Sequence, residues 1–213
     1  MRPVVVLPTK NETKSVEPMI KRIKALKLPV FIVDENSDDG TIEKAKKLNV
    51  EVFQRDGSGK GFGVLKALQM CRKKKHDVMA LIDCDSTYPV ELIPKMIKML
   101  GKKEMIVGAR PMNSIIFVHR LGNAIHSQSI NLLFGSHLTD ANSGLRVFWV
   151  DDLLGKVDAK GFDIEVDMTI KALKQGVRIK EIPIEYKARV GRSKILLTDG
   201  LRILFKIFKE RFF

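Results

Sequence analysis

The sequence predicts an α/β fold in which a mostly parallel sheet is flanked by helices. Two observations lead to this prediction. Short apolar runs rich in β-branched residues alternate with amphipathic segments, and the connections between them are short. No internal repeat or low-complexity tract interrupts the alternation. We expect one domain over residues 1–195, followed by a basic amphipathic helix over residues 196–213.

The individual elements follow from the spacing of apolar residues along the chain. Short apolar runs predict buried strands at Val4–Leu7, Val30–Val33, Val50–Phe53, Val78–Ile82 and Met105–Val107. Helical spacing between these runs predicts helices at Ser15–Leu26, Thr41–Leu48, Phe62–Lys74 and Glu91–Leu100. After Pro111 we expect a long apolar and basic helix (Ile115–Phe134), a polar loop, a helix (Ile164–Lys174), a short strand (Val177–Ile182) and a terminal helix.

Composition excludes several classes of protein. The chain has 213 residues, of which 45% are hydrophobic and 30% charged, and this balance argues against disorder. Two cysteines are too few for a disulfide scaffold. No apolar run approaches the roughly 20 residues that span a bilayer. We therefore expect a cytoplasmic protein without a transmembrane helix, either soluble or peripheral on the cytoplasmic face of a membrane.

The net charge of +13 is concentrated toward the C-terminus, where residues 187–213 hold eight basic and two acidic residues. In the terminal helix one face is apolar and a basic strip lies beside it. The apolar positions are Leu197, Leu201, Leu204, Phe205, Phe208 and Phe212, and the basic ones are Arg202, Lys206 and Lys209. This arrangement fits an interfacial helix drawn to an anionic membrane surface. Packing on its own domain, or a homo-oligomer contact, explains the same pattern, and Ile115–Phe134 is a second candidate.

Unusual polar residues follow three of the predicted strands. Residues 8–12 follow the first strand, residues 34–40 the second and residues 83–85 the fourth. Because ligands of open parallel sheets bind beyond the carboxyl ends of the strands, these segments predict a binding site at that edge. Asp83 and Asp85 offer hard oxygen ligands to Mg²⁺ or Mn²⁺, with positions left for substrate phosphates.

The glycine-rich segment 57–63 matches neither common nucleotide loop. Gly61 follows Lys60 where a phosphate-binding loop requires Ser or Thr, and Phe62 and Val64 stand where a dinucleotide fingerprint requires Gly. We interpret the segment as a flexible loop entering a helix, with Lys60 reaching a phosphate.

Other residues could bind anions or act as a base. The candidate anion binders are Arg110, Arg120, Arg146, Arg189, Arg192 and Lys194. Asp163 and Glu165 lie at the start of a predicted helix, where the helix dipole favours carboxylates as capping groups. Either residue could also serve as a catalytic base. The four histidines have no metal-ligand spacing.

Taken in order, these residues resemble the family-two glycosyltransferases of the GT-A fold, and especially the dolichyl-phosphate mannose synthase branch with its short archaeal members. The resemblance runs from Leu7 to about Phe205. The matching stretches are Leu7–Glu12, Val33–Thr41, Gly59–Gly61, Asp83–Pro89, Gly108–Arg110, Arg120 with Asn123, Asp140 with Ser143–Arg146, Gly161–Glu165 and Gly191–Lys194.

The resemblance implies roles for individual residues. It places Asp83, Asp85 and Thr87 at the metal, and it gives Asp85 and Arg110 the catalytic roles. It implies a nucleotide-sugar site formed by Pro8, Lys10, Glu12, Asp34, Glu35, Lys60, Asp83, Cys84, Asp85, Arg110, Arg189 and Lys194. It implies that Arg120, Arg146 and Ser193 bind the acceptor phosphate. The sequence departs from the family pattern at Lys10, where Tyr is frequent, at Glu35, which replaces an Asp, and at Thr87, where Gln is frequent.

The reaction that the resemblance implies is transfer of a hexose, with inversion, from a nucleotide-sugar to dolichyl or other polyprenyl phosphate. GDP-mannose, UDP-glucose and UDP-N-acetylglucosamine are all compatible donors. One alternative is a GT-A transferase with a soluble or protein acceptor, which would need Glu165 or Asp163 as base. A remote alternative is a nucleic-acid-binding protein, although two Tyr and one Trp offer few stacking platforms and we expect no nucleic-acid partner.

Overall fold

The computed structural model describes residues 1–114, 117–187 and 197–213. A seven-stranded sheet forms its centre. The strands are β1 (Pro3–Thr9), β2 (Val30–Asp34), β3 (Glu51–Gln54), β4 (Val78–Leu81), β5 (Glu104–Ala109), β6 (Arg146–Trp149) and β7 (Arg178–Pro183). The helices are α1 (Val16–Ala25), α2 (Thr41–Lys47), α3 (Lys60–Lys73), α4 (Ile93–Met99), α5 (Phe117–Phe134), α6 (Val150–Leu153), α7 (Ile164–Lys174) and α8 (Leu197–Phe212).

The strand order in the sheet is β3-β2-β1-β4-β6-β5-β7. All described pairs are parallel except those of β6, which runs antiparallel between β4 and β5. The mostly parallel α/β sheet predicted from the sequence is therefore confirmed. The parallel strands end at one edge, and the loops that follow β1, β2 and β4 begin there.

Alternating side chains of the strands fill two separate cores. In β1, Val4 and Val6 face the core beneath α3, α6 and α7, whereas Val5 and Leu7 face the core beneath α1, α2 and α4. All four side chains are buried. Burial on both faces explains why these strands are almost continuously apolar in the sequence.

A third, smaller core joins α5, α7 and α8. Its buried members are Ile130 of α5, Val166 and Ile170 of α7, Ile203 and Ile207 of α8, and Leu138 and Ala141 of the loop after α5. The terminal helix thus packs one face on its own domain. The boundary that we predict between residues 195 and 196 lies outside the described residues.

One strand was absent from the sequence prediction. We interpreted residues 135–163 as a polar loop, but Arg146–Trp149 forms β6 and pairs with both β4 and β5. The strand is four residues long and begins with a buried arginine, so its apolar run is too short to stand out.

Candidate active site

The edge at which β1 and β2 end is organised by Asp34. Thr9 pairs with Asp34 in the parallel register, and its hydroxyl donates to Asp34 Oδ2 at 2.5 Å. Asp34 also accepts the Ser37 backbone N–H and hydroxyl, both at 2.7 Å. The carboxylate is fully buried. Asp34 therefore shapes the loop after β2 from beneath, instead of presenting its carboxylate at the surface.

Glu35, the next residue, connects three segments of the site. It forms ion pairs with Lys10 and Arg55. It also accepts the Ser58 hydroxyl at 2.7 Å and the Gly59 backbone N–H at 3.2 Å. The structure thus brings Lys10 and Glu35 together and ties both to the glycine-rich loop.

Arg55 belongs to the site but was not a sequence candidate. It follows β3, and its side chain is almost fully buried between Glu35 and Gly63, where an added Cβ would lie 2.9 Å from Arg55 Nη1. Burial lowers the pKa of Arg55 to about 10, although the charge of Asp34 acts in the opposite direction. A single basic residue in a polar loop carries no distinguishing signal in the sequence.

Pro8 and Glu12 lie at the end of β1 and in the loop after it. Pro8 pairs with Val33 in the register, and its Cβ is the neighbour of Gly63. Glu12 receives the Ser15 hydroxyl at 3.2 Å, and its backbone N–H donates to Thr41 Oγ1 at 2.9 Å. The loop that carries Lys10 is therefore held against the start of α2.

Lys60 lies at the first position of α3 and bridges two carboxylates. Its Nζ lies 2.5 Å from Asp83 Oδ1 and also forms an ion pair with Glu165. Burial lowers the pKa of Lys60, but Asp83 and Glu165 outweigh that effect and raise the pKa well above its ordinary value. Lys60 is therefore a permanent cation at the strand edge.

Asp83 is packed closely against the loop before β6. A Cβ at Gly144 would lie 2.3 Å from Asp83 Oδ2, so only glycine fits there without displacement. The Gly144 backbone N–H donates to the Tyr88 hydroxyl at 2.7 Å. These contacts hold the Asp83 carboxylate at the end of β4, where the sequence predicted it.

Asp85 and Thr87 form a local hydrogen-bonded unit. Asp85 Oδ1 accepts the Thr87 backbone N–H at 3.1 Å and the Thr87 hydroxyl at 2.6 Å. Thr87 is fully buried, and its hydroxyl and backbone N–H hold the Asp85 carboxylate in place. Cys84, predicted at the nucleotide, has its side chain in the core beneath α1, α2 and α4, where burial raises the pKa of its thiol.

Arg110 follows β5 and is paired with Asp140. Its Nε and Nη2 each donate to the Asp140 carboxylate at 2.7 Å, and its backbone N–H donates to the same group at 2.9 Å. The guanidinium also lies 5.5 Å from the centre of the Tyr186 ring. Asp140 is fully buried, so this pair gives Arg110 a fixed position rather than a mobile surface one.

Arg146 is not at the site. It is fully buried, and its guanidinium donates to the Ser143 carbonyl at 2.9 Å, the Thr169 hydroxyl at 2.8 Å and the Ala141 carbonyl at 2.5 Å. Its role as an acceptor-phosphate ligand is therefore contradicted, because its donors stabilise the loop before β6. An arginine is usually exposed, which is why the sequence suggested otherwise.

Five further residues were predicted to bind phosphate groups. Arg120 lies on α5 and is partly buried. Arg189, Arg192, Ser193 and Lys194 lie outside the described residues.

The donor set at the edge fits a divalent cation. Asp83 and Asp85 supply two carboxylates on one short turn after β4, and Gly144 places no side chain beside Asp83 Oδ2, while Lys60 pairs with Oδ1. A second acidic cluster, formed by Asp158, Asp167 and Glu210, is different. Lys206 contacts all three carboxylates, and Lys171 and Lys174 pair with Glu210, so three ammonium groups already balance the three carboxylates.

Two helices near this edge expose apolar side chains. On α8 these are Leu201, Phe205, Phe208 and Phe212, and on α5 they are Leu121, Ile125 and Leu132. Four residues of the predicted apolar face of the terminal helix are thus exposed and Leu204 is partly buried, while Ile203 and Ile207 on the opposite side are buried. Among the described residues, no helix has the length and hydrophobicity that crossing a bilayer requires.

Solved structures share this fold. Glucosyl-3-phosphoglycerate synthase from Mycobacterium tuberculosis, in complex with Mn²⁺, uridine diphosphate and phosphoglyceric acid, superimposes with a TM-score of 0.81 at 18% identity, over 99% of this chain and 78% of that chain. The same enzyme with Mn²⁺ and UDP-glucose gives a TM-score of 0.75, over 98% of this chain and 78% of that chain, at 18% identity. The fold is therefore that of the GT-A glycosyltransferases, as the sequence resemblance implied.

Curated relatives share more of the sequence. A low-salt glycan biosynthesis hexosyltransferase of Haloferax volcanii is 30% identical over 93% of this chain, which spans about half (51%) of that relative. An undecaprenyl-phosphate mannosyltransferase of Micrococcus luteus is 26% identical over 92% of this chain and 88% of its own length. A dolichyl-phosphate hexose transferase of Haloferax volcanii is 28% identical over 90% of this chain and 85% of its own length. The model of glycosyl transferase family 2 matches residues 4–208, and the chain belongs to that family.

Proposed function

We propose that this glycosyltransferase moves a hexose from a nucleotide-sugar to a polyprenyl phosphate. The observation that carries the proposal is the cluster at the strand edge, where Lys60 lies between Asp83 and Glu165 and next to the Asp85 turn. Fixed cations and carboxylates of this kind suit a diphosphate and its counterion. The relatives named for undecaprenyl-phosphate and dolichyl-phosphate support a lipid-linked acceptor.

The proposed mechanism needs little general-base help. A phosphate monoester is already an anion at neutral pH, so its oxygen can attack the anomeric carbon directly and invert it. Lys60 and Arg110 would stabilise the negative charge of the donor and acceptor phosphates. Their side chains are fixed before substrate arrives, because Asp83 pairs with Lys60 and Asp140 with Arg110. A divalent ion on Asp83 and Asp85 would supply further positive charge to the leaving nucleoside diphosphate. Arg189, Arg192, Ser193, Lys194 and Arg120 remain proposed phosphate contacts.

The exposed apolar face of α8 supports an acceptor at a membrane. Phe205 and Leu201 are more than two-thirds exposed, and the basic Arg202 and Lys209 are exposed on the same helix. Such a helix gains free energy when it enters the boundary of an anionic bilayer. We propose that the protein acts peripherally on the cytoplasmic face of a membrane, where the lipid phosphate is presented.

A soluble acceptor is the second candidate. It is favoured by the structural likeness to an enzyme crystallised with phosphoglyceric acid. A hydroxyl acceptor would need a base, and Glu165 is already engaged by Lys60 while Asp163 accepts the Gly161 backbone N–H at 3.2 Å. The lipid phosphate therefore fits the arrangement of charges better.

The experiment combines purified protein with polyprenyl phosphate, Mg²⁺ or Mn²⁺, and GDP-mannose, UDP-glucose or UDP-N-acetylglucosamine in turn. Mass spectrometry would follow the glycolipid. We expect product from one donor, and a loss of about 1,000-fold or more in Asp85→Asn, since electrostatic groups at a leaving group contribute on that scale. Donor binding without glycolipid, together with transfer to a soluble phosphate, would overturn the lipid-acceptor proposal.

A further inference from the structure

We propose that Lys206, on the terminal helix α8, is a positioning residue for the donor site, because it holds the backbone that fixes Lys60. The inference rests on the proposed function, since the ligand whose binding depends on Lys60 is the nucleoside diphosphate of the donor. The connection runs from α8 through Asp167 and residues 158–161 to the start of α3. Each link is a short contact, and the central residue, Asp167, is fully buried.

The first link joins α8 to α7 and to the loop before it. Lys206 Nζ lies 3.0 Å from Asp167 Oδ1 and also pairs with Asp158. Its side chain is only 13% exposed, and the buried Ile203 and Ile207 lie on either side of it along the helix. Burial lowers the pKa of Lys206, but the two carboxylates raise it above the ordinary value. Lys206 is thus a charged group inside the domain and not part of the exposed basic strip.

The second link is the other oxygen of Asp167. Asp167 is fully buried, and its Oδ2 accepts the backbone N–H groups of Asp158 at 2.8 Å and Ala159 at 3.0 Å. One carboxylate therefore connects the ammonium of Lys206 with the backbone of the loop. Removal of the cation would leave a buried charge without its ion-pair partner, which is costly, so the carboxylate and the loop would be expected to move.

The third link is the contact of residues 159–161 with the start of α3. The Gly61 backbone N–H donates to the Gly161 carbonyl at 3.1 Å. A Cβ at Gly61 would lie 2.1 Å from the Ala159 carbonyl oxygen, and one at Gly59 would lie 2.4 Å from the Lys160 carbonyl oxygen. The two backbones touch on both sides of Lys60, so a shift of the loop must displace Lys60 relative to Asp83.

The terminal helix therefore has two different faces. Its outer face exposes Phe205 and Leu201, whereas its inner face supports the residues that contact the donor. Lys209 lies on the exposed side of the helix, and the Arg202 guanidinium approaches Gly161, whereas Lys206 is the residue of α8 that pairs with Asp167. If α8 enters a membrane, the same helix links the acceptor surface to donor binding.

The test is isothermal calorimetry on the whole chain without lipid. GDP or UDP is titrated into the protein in the presence of Mn²⁺, and the nucleotide affinity is measured. Lys206→Met keeps the aliphatic stem and removes the charge, and we expect it to weaken nucleotide affinity about 10-fold, as loss of a group behind a ligand typically does. Lys206→Arg should restore affinity to within about threefold of the wild type. Lys209→Met is the matched control, because it removes the same charge from the exposed side of the same helix and should bind nucleotide like the wild type.

A double-mutant cycle separates positioning from a general loss of stability. In a Lys60→Ala background, Lys206→Met should have no further effect on nucleotide affinity, because the group that it positions is absent. Asp167→Asn serves as a second variant if Lys206→Met does not fold, and it too should weaken binding.

Three results would overturn the inference. They are unchanged affinity in Lys206→Met or Asp167→Asn, an equal loss in Lys209→Met, and an undiminished effect of Lys206→Met without Lys60. If the wild type binds neither nucleotide, the proposed function fails, and that outcome is distinct from all three.

Discussion

The strand edge and the outer surface of α5 and α8 differ in whether their side chains are paired within the chain or exposed to solvent. At the edge, charged groups are matched within the chain: Lys60 with Asp83 and Glu165, and Arg110 with Asp140. On the helices, large apolar groups such as Phe205 and Leu132 project into solvent without a partner among the described residues. The charged groups of the edge are fixed by their partners, while the helices expose a surface suited to an apolar environment.

The difference indicates which interactions would contribute the binding free energy of each proposed substrate. Ion pairs between fixed groups lose little conformational entropy when a diphosphate binds, so the donor side is preorganised. The exposed apolar area, in contrast, gains free energy only when something covers it. In the proposed function the nucleotide is recognised by charge, and the lipid is approached through the hydrophobic effect.

The largest effect is expected from a methyl group added beside Asp83. Gly144→Ala would place a Cβ 2.3 Å from Asp83 Oδ2, and overpacking of this kind costs about 1–3 kcal/mol. We expect nucleotide affinity in the presence of Mn²⁺, measured by calorimetry, to fall about 10- to 100-fold.

The matched control for that change is Gly122→Ala on α5, where an added Cβ meets nothing within 4 Å. It should leave affinity unchanged and stabilise the helix by up to about 1 kcal/mol. Equal affinities in the two variants would show that the edge is less rigid than its contacts suggest.

An intermediate effect is expected on the helix surface. Phe205 and Phe208 are 70% and 45% exposed, so Phe205→Ser combined with Phe208→Ser should leave the melting temperature almost unchanged. Binding to vesicles that contain anionic lipid should weaken about 10-fold for the pair, because both side chains are already partly covered and entry into the bilayer adds only part of the about 1.5–3 kcal/mol of full burial.

Cosedimentation with the vesicles would measure this loss. The contrasting change is Ile207→Ser on the inner face, which should unfold the protein at lower temperature because Ile207 is fully buried. Retained vesicle binding in the double phenylalanine variant would exclude α8 as the membrane contact.

The smallest effect concerns the pH dependence of the α7–α8 contact. Burial raises the pKa of Glu210, but Lys171 and Lys174 outweigh it and lower the pKa to about 2. The folded-state pKa of Glu210 is below the ordinary value of 4.5. Its ion pairs therefore contribute fully to the stability of the fold above pH 4.5, and this contribution is lost as the pH falls toward 2.

Thermal melting of the wild type and of Glu210→Gln would test this. The wild type should melt at the higher temperature at pH 6, and the two melting temperatures should converge near pH 2. A difference that stays constant over this range would mean that the ion pairs do not contribute as inferred.

The sequence predicted the strands and the residues that follow them because burial on both faces leaves a clear apolar run. Val4–Leu7 and Val78–Ile82 are examples, and Asp83 and Asp85 lie where the end of β4 implied. The bounds of α7 agree with the prediction, and those of α1 differ from it by one residue at each end. Amphipathic spacing also predicted which face of α8 carries Phe205.

Long-range pairing could not be predicted in the same way. Lys60 is 23 residues from Asp83 and 105 residues from Glu165, and no local pattern connects them. Arg146 and Arg55 are buried against the usual preference of arginine for the surface. Their positions depend on β6 and on the end of β3, which only the folded chain brings together.

The position of β6 in the sheet has a consequence for how the protein is made. β5 pairs only with β6 and β7 among the described strands, and both are synthesised after it. A ribosome that has completed Ala109 has therefore produced a β5 without neighbours and a β4 with one open edge. Until residues 146–149 emerge, these edges can pair with another chain, so nascent protein is most prone to aggregate during synthesis of α5.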